Sequence, residues 1–306
     1  MKKILLANCV ALFSLAVNAQ APEDILRYSY LPQHGSARNM AIGGAMGSLG
    51  GDINALFVNP AGLGLYKTRE FALTPAFGFN NNKADYRGTS MTANKSAFDL
   101  GTSGLVVGFN SPYSKWTSQA FSIGINQTAN FNNVVSYKGV NNLSSFSEQY
   151  AEEISAHNIN IGGTLNDPRF AYGTYPAIYT YLVDVFKIKN PNGADSISVI
   201  QGLPEKILEK GIGLNQEKTV TTKGGIYEVA LGYAANMDDK FYVGGSLGIP
   251  IVSYNRITSF RESDPSGNTN RDFSYFQHND TLSTKGFGIN ARLGIIFKPV
   301  EFVRLG

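Results

Sequence analysis

The chain has 306 residues, of which 26 are basic, 23 are acidic and 43% are hydrophobic. A charge balance this close to neutral argues against nucleic-acid binding, which needs a strongly basic face. The single cysteine, Cys9, lies within the first residues. Once those residues are removed, thiol catalysis, disulfides and thiolate metal sites are excluded.

The first residues have the order of a secretory leader. Lys2 and Lys3 precede an apolar stretch over residues 4–17, and a small-residue boundary ends at Ala19. This stretch is shorter than the roughly 20 residues that a membrane-spanning helix needs, which disfavours the competing interpretation as an anchor. We therefore expect residues 1–19 to be a signal peptide that is cleaved near Ala19.

Residues 20–68 show no strand-like alternation and are rich in small residues. Gly43 and Gly44 lie in a run of small residues, which predicts close backbone packing. Asn59 and Pro60 predict a turn shortly before the first expected strand.

Two motifs in this segment resemble the opening of a known family, the FadL and TodX type of outer-membrane transporters for long-chain fatty acids and aromatic hydrocarbons. Ile42 departs from the methionine that is usual in the first motif. The motif residues are Ala37, Arg38, Gly43, Gly44 and Ala45, followed by Asn59, Pro60 and Ala61.

The resemblance implies a barrel of about 14 strands whose interior is closed by an N-terminal plug. It also implies that the ligand is captured outside, moves to an interior apolar pocket and leaves sideways into the bilayer. On this basis we predict that residues 20–68 are the plug. Asn59, Pro60 and Ala61 would be its hinge or latch, because proline's fixed φ makes the turn stiff.

Beyond residue 68, apolar and polar side chains alternate over long segments. Val229 and Leu231, for example, alternate with Glu228 and Ala230. A period of two predicts strands whose two faces meet different environments. Most of these segments exceed the roughly 5–6 residues of a globular strand, and several could cross a bilayer at a tilt. The predicted strands are residues 69–80, 98–110, 118–138, 216–236, 241–262 and 280–298.

The connections between these segments alternate in length, which favours a membrane barrel over a soluble sandwich. Short turns on one side and long loops on the other are the outer-membrane arrangement. The short connections are 111–117, 237–240 and 299–301, and the long ones are 81–97, 139–215 and 263–279.

We therefore predict an all-β fold, a transmembrane antiparallel barrel of the outer membrane that includes residues 69–306. The six or seven strands present would leave an open edge in lipid, which is costly. We expect the 306 residues to be a fragment, or to be completed by a partner chain. Neither the oligomeric state nor the ligand's identity is indicated.

One predicted strand, residues 118–138, is interrupted by polar residues. Asn130, Asn132 and Asn133 break its apolar face. This strand is the place where a kink, and with it a lateral opening, would be expected.

The long loop at 139–215 carries helical signals. Ser145 and Glu148 fit a capping box, and Pro176 and Pro204 can each begin a further helix. An apolar stripe after Pro176 has two interpretations, an external groove that captures a hydrophobic ligand or simple packing of a cap. The residues of this stripe are Ile178, Tyr181, Leu182, Val185 and Phe186.

Three charged residues are predicted to face the barrel interior. Glu228, Arg292 and Lys298 could meet a ligand carboxylate, although pairing with each other or with water is the ordinary role of such charges and is favoured here.

Nothing in the sequence indicates an enzyme, a cofactor or a metal site. The three histidines are scattered, and no nucleophile elbow or catalytic set is present. The leading hypothesis is passive uptake of small hydrophobic molecules, with that ligand and outer-membrane lipids as partners. The rival is a non-transporting scaffold of a type IX-like secretion system, with secretion proteins as partners. A general porin is a third possibility, which a plug disfavours.

Overall fold

The computed structural model describes residues 22–29, 34–157, 159–189, 196–267 and 273–306. The predicted signal peptide lies outside the described residues, as do six positions of the predicted plug. Most of the described chain is β-strand. No helix among the described residues is long and apolar enough to cross a membrane.

Short helical elements make up the N-terminal part. Ser36 caps the second helix, because its Oγ accepts a hydrogen bond from the Asn39 N–H at 3.1 Å, and it also donates to Asp52 at 2.9 Å. We call residues 34–68 the plug segment. The elements are helices α1 (Pro22–Ser29) and α2 (Ala37–Ala41) and the 3₁₀ helices Ile53–Leu56 and Pro60–Leu65.

Thirteen strands follow in the described residues. The first seven are β1 (Arg69–Ala72), β2 (Pro75–Tyr86), β3 (Thr89–Leu100), β4 (Ser103–Asn110), β5 (Trp116–Asn130), β6 (Asn133–Asn141) and β7 (Val183–Lys189). The others are β8 (Ser196–Gly202), β9 (Leu214–Met237), β10 (Phe241–Ser263), β11 (Tyr275–Phe287), β12 (Asn290–Val300) and β13 (Val303–Leu305).

Nine of these strands form one antiparallel sheet. Its order is β1-β4-β5-β9-β10-β12-β13, with β6 also paired to β9 and β11 also paired to β10. The hairpins β2–β3 and β7–β8 form two further ladders. We call the edge at the short connections 111–115, 238–240 and 301–302 the turn end, and the opposite edge the loop end. The all-β prediction is therefore confirmed at the level of a large antiparallel sheet.

The structure corrects two of the predicted long loops. Residues 81–97 are not a loop but most of the β2–β3 hairpin, which turns at Arg87 and Gly88, both with positive φ. The segment 263–279 is also shorter as a loop than predicted, because β11 begins at Tyr275.

The plug segment covers one face of the sheet, and the strand phase predicted from the sequence is confirmed. On β9, Glu228, Ala230 and Ala234 point to this covered face and are at most 2% exposed. Leu231 and Tyr233 lie on the opposite, outer face and are exposed.

The outer face is apolar near the turn end and polar near the loop end. Leu247 and Leu293 of neighbouring strands are 64% and 92% exposed there. Further exposed members of the apolar band are Phe71, Phe77, Phe79, Phe98, Leu105, Phe121, Ile123, Val229, Leu231, Ile249, Ile251, Phe287, Ile289 and Ile295. Towards the loop end the outward residues become polar, as at Lys223, Ser253 and Ser283.

Residues 142–213, which we call the cap, have their own small core. Tyr150, Ile154, Ile178 and Ile207 are buried together in it. Besides β7 and β8, its elements are α3 (Glu148–Ala156), α4 (Ile161–Thr164), a 3₁₀ turn (Pro168–Phe170), α5 (Thr174–Tyr179) and α6 (Glu205–Glu209).

Candidate functional site

The predicted latch residues tie the plug segment to the sheet. Asn59 caps the 3₁₀ helix that begins at Pro60, and its Oδ1 accepts a hydrogen bond from the Ala61 N–H at 3.1 Å. Its Nδ2 donates to the carbonyl of Gly47 at 2.6 Å and to that of Ile295, on β12, at 3.2 Å. The Asn59 side chain therefore links the 3₁₀ helix at Pro60 and the backbone at Gly47 to strand β12.

Two paired glycines form the seat for this latch. Gly244 on β10 and Gly294 on β12 are register partners and face the plug segment. A Cβ at Gly294 would collide with the Asn59 amide, and one at Gly244 would collide with the backbone of Pro60. The sequence did not lead us to predict this contact, although the alternation of each strand already placed both glycines on the inward face.

Apolar contacts fill the space between the plug segment and the sheet. Leu56 and Leu63 are fully buried against Ala230 and Ala234 of β9. A Cβ at Gly232 would collide with Leu56. Small residues on the covered face thus let the plug segment lie close to the strands.

Gly43 and Gly44 have a different role from the predicted close packing. Both have positive φ, 63° and 82°, directly after α2. The Gly44 N–H donates to the carbonyl of Asn39 at 2.9 Å, which ends the helix. No atom of the described residues lies within 4 Å of a Cβ built at Gly43.

Polar side chains lie on the covered face just beyond the plug segment, towards the loop end. Arg292 donates to both carboxylate oxygens of Glu228 at 2.5 and 2.8 Å. Two of the three predicted interior charges therefore pair with each other. Lys298 lies apart at the turn end, where its N–H donates to the Lys240 carbonyl at 2.7 Å.

A cavity of about 790 Å³ lies on the loop-end side of this ion pair. Arg27 of α1 and Arg256 of β10 line it, together with the aromatic residues Phe131 and Tyr254. Six asparagines also line it: Asn80, Asn81, Asn82, Asn130, Asn132 and Asn133.

The wall of this cavity includes the predicted kink. β5 ends at Asn130 and β6 begins at Asn133, and the Asn130 Oδ1 accepts a hydrogen bond from the Asn132 N–H at 2.7 Å across the break. Beyond the break, β6 pairs with β9 only, and β3 pairs with β2 only. Among the described residues, the seam between β3 and β6 therefore has no backbone ladder.

The predicted capture stripe is not one helical face, because α5 ends at Tyr179 and a strand begins at Val183. Ile178 and Leu182 are buried in the cap core, whereas Tyr181 and Val185 are exposed. The Lys206 ammonium lies 3.5 Å from the ring centre of Phe186.

A buried carboxylate holds the cap on the strands. Glu262 near the end of β10 is fully buried and accepts hydrogen bonds from the Ser145 hydroxyl at 2.5 Å, the Phe146 N–H at 3.1 Å and the Gln216 amide at 2.6 Å. Burial raises the pKa of this carboxyl, and nearby Glu148 raises it further, although the three hydrogen bonds act in the opposite direction.

No protein family, no curated protein and no solved structure matches the chain. The geometry of the described residues is therefore what supports a function.

Proposed function

We propose that this chain is part of an outer-membrane β-barrel that passes small hydrophobic or amphiphilic molecules inward without an energy source. Residues 69–306 form part of the barrel wall, the plug segment closes it, and the cap faces the cell exterior. The ligand leaves sideways into the bilayer.

The observation that carries this proposal is the inverted polarity of the sheet. In a soluble protein the apolar face of a strand is the buried one, but here Glu228 is 2% exposed while its neighbour Val229 is 37% exposed. Large contiguous apolar patches are rare on soluble monomers. The apolar band with a polar sheet beyond it is the pattern of a wall that crosses a hydrocarbon layer.

Three features favour transport over a closed structural barrel. The plug segment leaves a cavity above it, the wall of that cavity is broken at residues 131–132, and the β3–β6 seam has no ladder among the described residues. A seam of this kind is where a molecule could pass into lipid without breaking backbone hydrogen bonds.

The test uses the full-length gene product, purified from outer membranes in mild detergent. Molecules that co-purify are identified by mass spectrometry, and an unrelated outer-membrane barrel purified in the same way supplies the background of bulk lipid. We expect one apolar or amphiphilic species enriched over that background. Bulk lipid alone would count against transport.

One observation favours the second candidate, a non-transporting scaffold of a type IX-like secretion system. The cap exposes Tyr172, Tyr179 and Tyr181, and the rings of Tyr175 and Tyr179 lie parallel with centres 6.1 Å apart. Tyrosine is enriched at protein interfaces. Stoichiometric recovery of secretion proteins with an empty barrel would favour the scaffold.

A further inference from the structure

The asparagines that line the cavity leave hydrogen-bonding groups open. Asn80 donates through its Nδ2 to the Asn132 carbonyl at 2.7 Å, Asn133 accepts from Asn82 at 2.6 Å, and Asn132 donates to Asn130 at 2.9 Å. The other end of the amides of Asn80, Asn132 and Asn133 has no partner among the described residues. These ends offer both acceptors and a donor.

Two arginines add hydrogen-bond donors to the cavity, but their charges are already engaged, so the cavity is not a strong anion-binding site. Arg256 donates to Asp280 at 3.0 Å, and its buried Nε has no partner among the described residues. The Arg27 guanidinium lies 4.2 Å from the ring centre of Tyr254. Each cation is therefore already engaged by a carboxylate or a ring, and neutral amides dominate the lining.

Aromatic rings supply an apolar surface beside these amides. Phe131 and Tyr254 pack edge to face with centres 5.5 Å apart, and Tyr28 of α1 packs against both at 6.0 and 6.5 Å. An aromatic ring offers a flat apolar body to a ligand that also needs hydrogen bonds.

We propose that this cavity binds a hydroxyl-rich, sugar-like head group, so that the transported molecule is a glycosylated amphiphile and not a plain hydrocarbon or fatty acid. This inference rests on the proposed transport function. A purely apolar ligand would desolvate the open amide ends without replacing their hydrogen bonds, which is costly. Hydroxyl groups both donate and accept, as the open amide ends require.

The test compares three probes that share an eight-carbon chain: octyl glucoside, octanoate and 1-octanol. The full-length protein is reconstituted in lipid nanodiscs, and binding of each probe below its micelle concentration is measured against empty nanodiscs. The variant is Asn80→Ala combined with Asn132→Ala. The control is Asn94→Ala, an exposed asparagine on β3 that does not line the cavity.

We expect octyl glucoside to bind at least about tenfold more tightly than octanol, and the double variant to lose about that factor, since it removes two polar partners. The control should bind like the wild type. If the double variant does not assemble, Asn80→Ala alone provides the same comparison, because it leaves the Asn132 side chain and its hydrogen bond to Asn130 in place.

Equal or tighter binding of octanol or octanoate would overturn the sugar-like head group and leave transport standing. Glucoside binding that is unaffected by the cavity variants would also overturn it. If none of the three probes binds and no small molecule co-purifies with the protein, the transport function fails together with this inference.

Discussion

The plug segment approaches the sheet closely at two glycines. Gly244 and Gly294 lie side by side in adjacent strands, and Asn59 and Pro60 occupy the space that their missing side chains leave. Glycine normally weakens a strand interior and often marks a place where another backbone approaches. Here the approaching backbone is the latch.

Gly294→Ala should displace the latch. Its Cβ would collide with the Asn59 amide, and such overpacking typically costs about 1–3 kcal/mol. We expect faster amide hydrogen exchange at residues 61–66 in the variant. Gly286→Ala is the matched control, because a Cβ at that glycine would have no atom within 4 Å in the part of the chain that the structure describes. Equal protection of the plug segment in both variants would show that the seat does not hold it.

Glu262 should make the docking of the cap depend on pH. Since burial raises the pKa of this carboxyl, the folded state holds its proton more tightly than the unfolded state does. The stabilisation that it contributes is full below the unfolded pKa of about 4.3. It is lost as pH rises through the higher folded pKa.

We therefore expect protection of α3 from hydrogen exchange, corrected for the intrinsic rate, to fall as the pH rises above the usual titration range of a carboxyl group. Glu262→Gln should flatten this dependence, because a neutral amide replaces the titrating group. Glu152→Gln, at an exposed position of the same helix, should leave it unchanged. A variant Glu262→Gln that keeps the wild-type slope would contradict the assignment.

Among the elements, the strands near the turn end could be predicted because their two faces differ. Outward Val229 and Leu231 and inward Glu228 and Ala230 differ in polarity, so the period of two is visible in the sequence. In β2 and β3 near the loop end both faces are polar, so the alternation disappears and the hairpin looked like a loop.

In the cap the error was the reverse, because a helical period was predicted where the chain leaves a helix and enters a strand. Ile178, Tyr181 and Leu182 fit a helical stripe, but Tyr181 adopts a φ of 58°, which ends the helical path. The β-branched residues Val183 and Val185 then continue in a strand. The helices after Ser145 and Pro204 are confirmed.

The candidate site could be predicted only where its residues are close in sequence. Asn59, Pro60 and Ala61 form a local motif. Strand phase placed Glu228 and Arg292 on one face, and the structure adds their pairing. The cavity could not be predicted, because only the strand register brings Arg27, Asn80, Phe131 and Tyr254 together.

Asn59→Ala should loosen the plug segment as a unit. The change removes a cap, which costs about 0.5–2 kcal/mol, together with the bonds to Gly47 and Ile295. If the chain transports as proposed, we expect faster ligand uptake or leakage by cells that assemble normal amounts of the protein, with Asn94→Ala as the control. Unchanged uptake in a well-assembled variant would rule out the latch.

At the scale of the whole molecule, the two faces of the sheet differ. The side chains of the covered face are small or polar, and those of the outer face are apolar near the turn end. Near the turn end, the plug segment packs on the covered face. The cavity lies next to it towards the loop end, and the cap lies beyond the cavity. This order along one axis supports the proposal that the sheet is immersed in lipid near the turn end and in water near the loop end.

The most direct test of this account is a depth profile of the outer face in the full-length protein. Single cysteines replace outward residues and carry a nitroxide label, and the label's accessibility to oxygen and to a water-soluble nickel complex is measured in lipid vesicles. We expect positions 231, 247 and 293 to favour oxygen and positions 223, 253 and 283 to favour nickel. Equal nickel accessibility at all six positions would contradict membrane insertion.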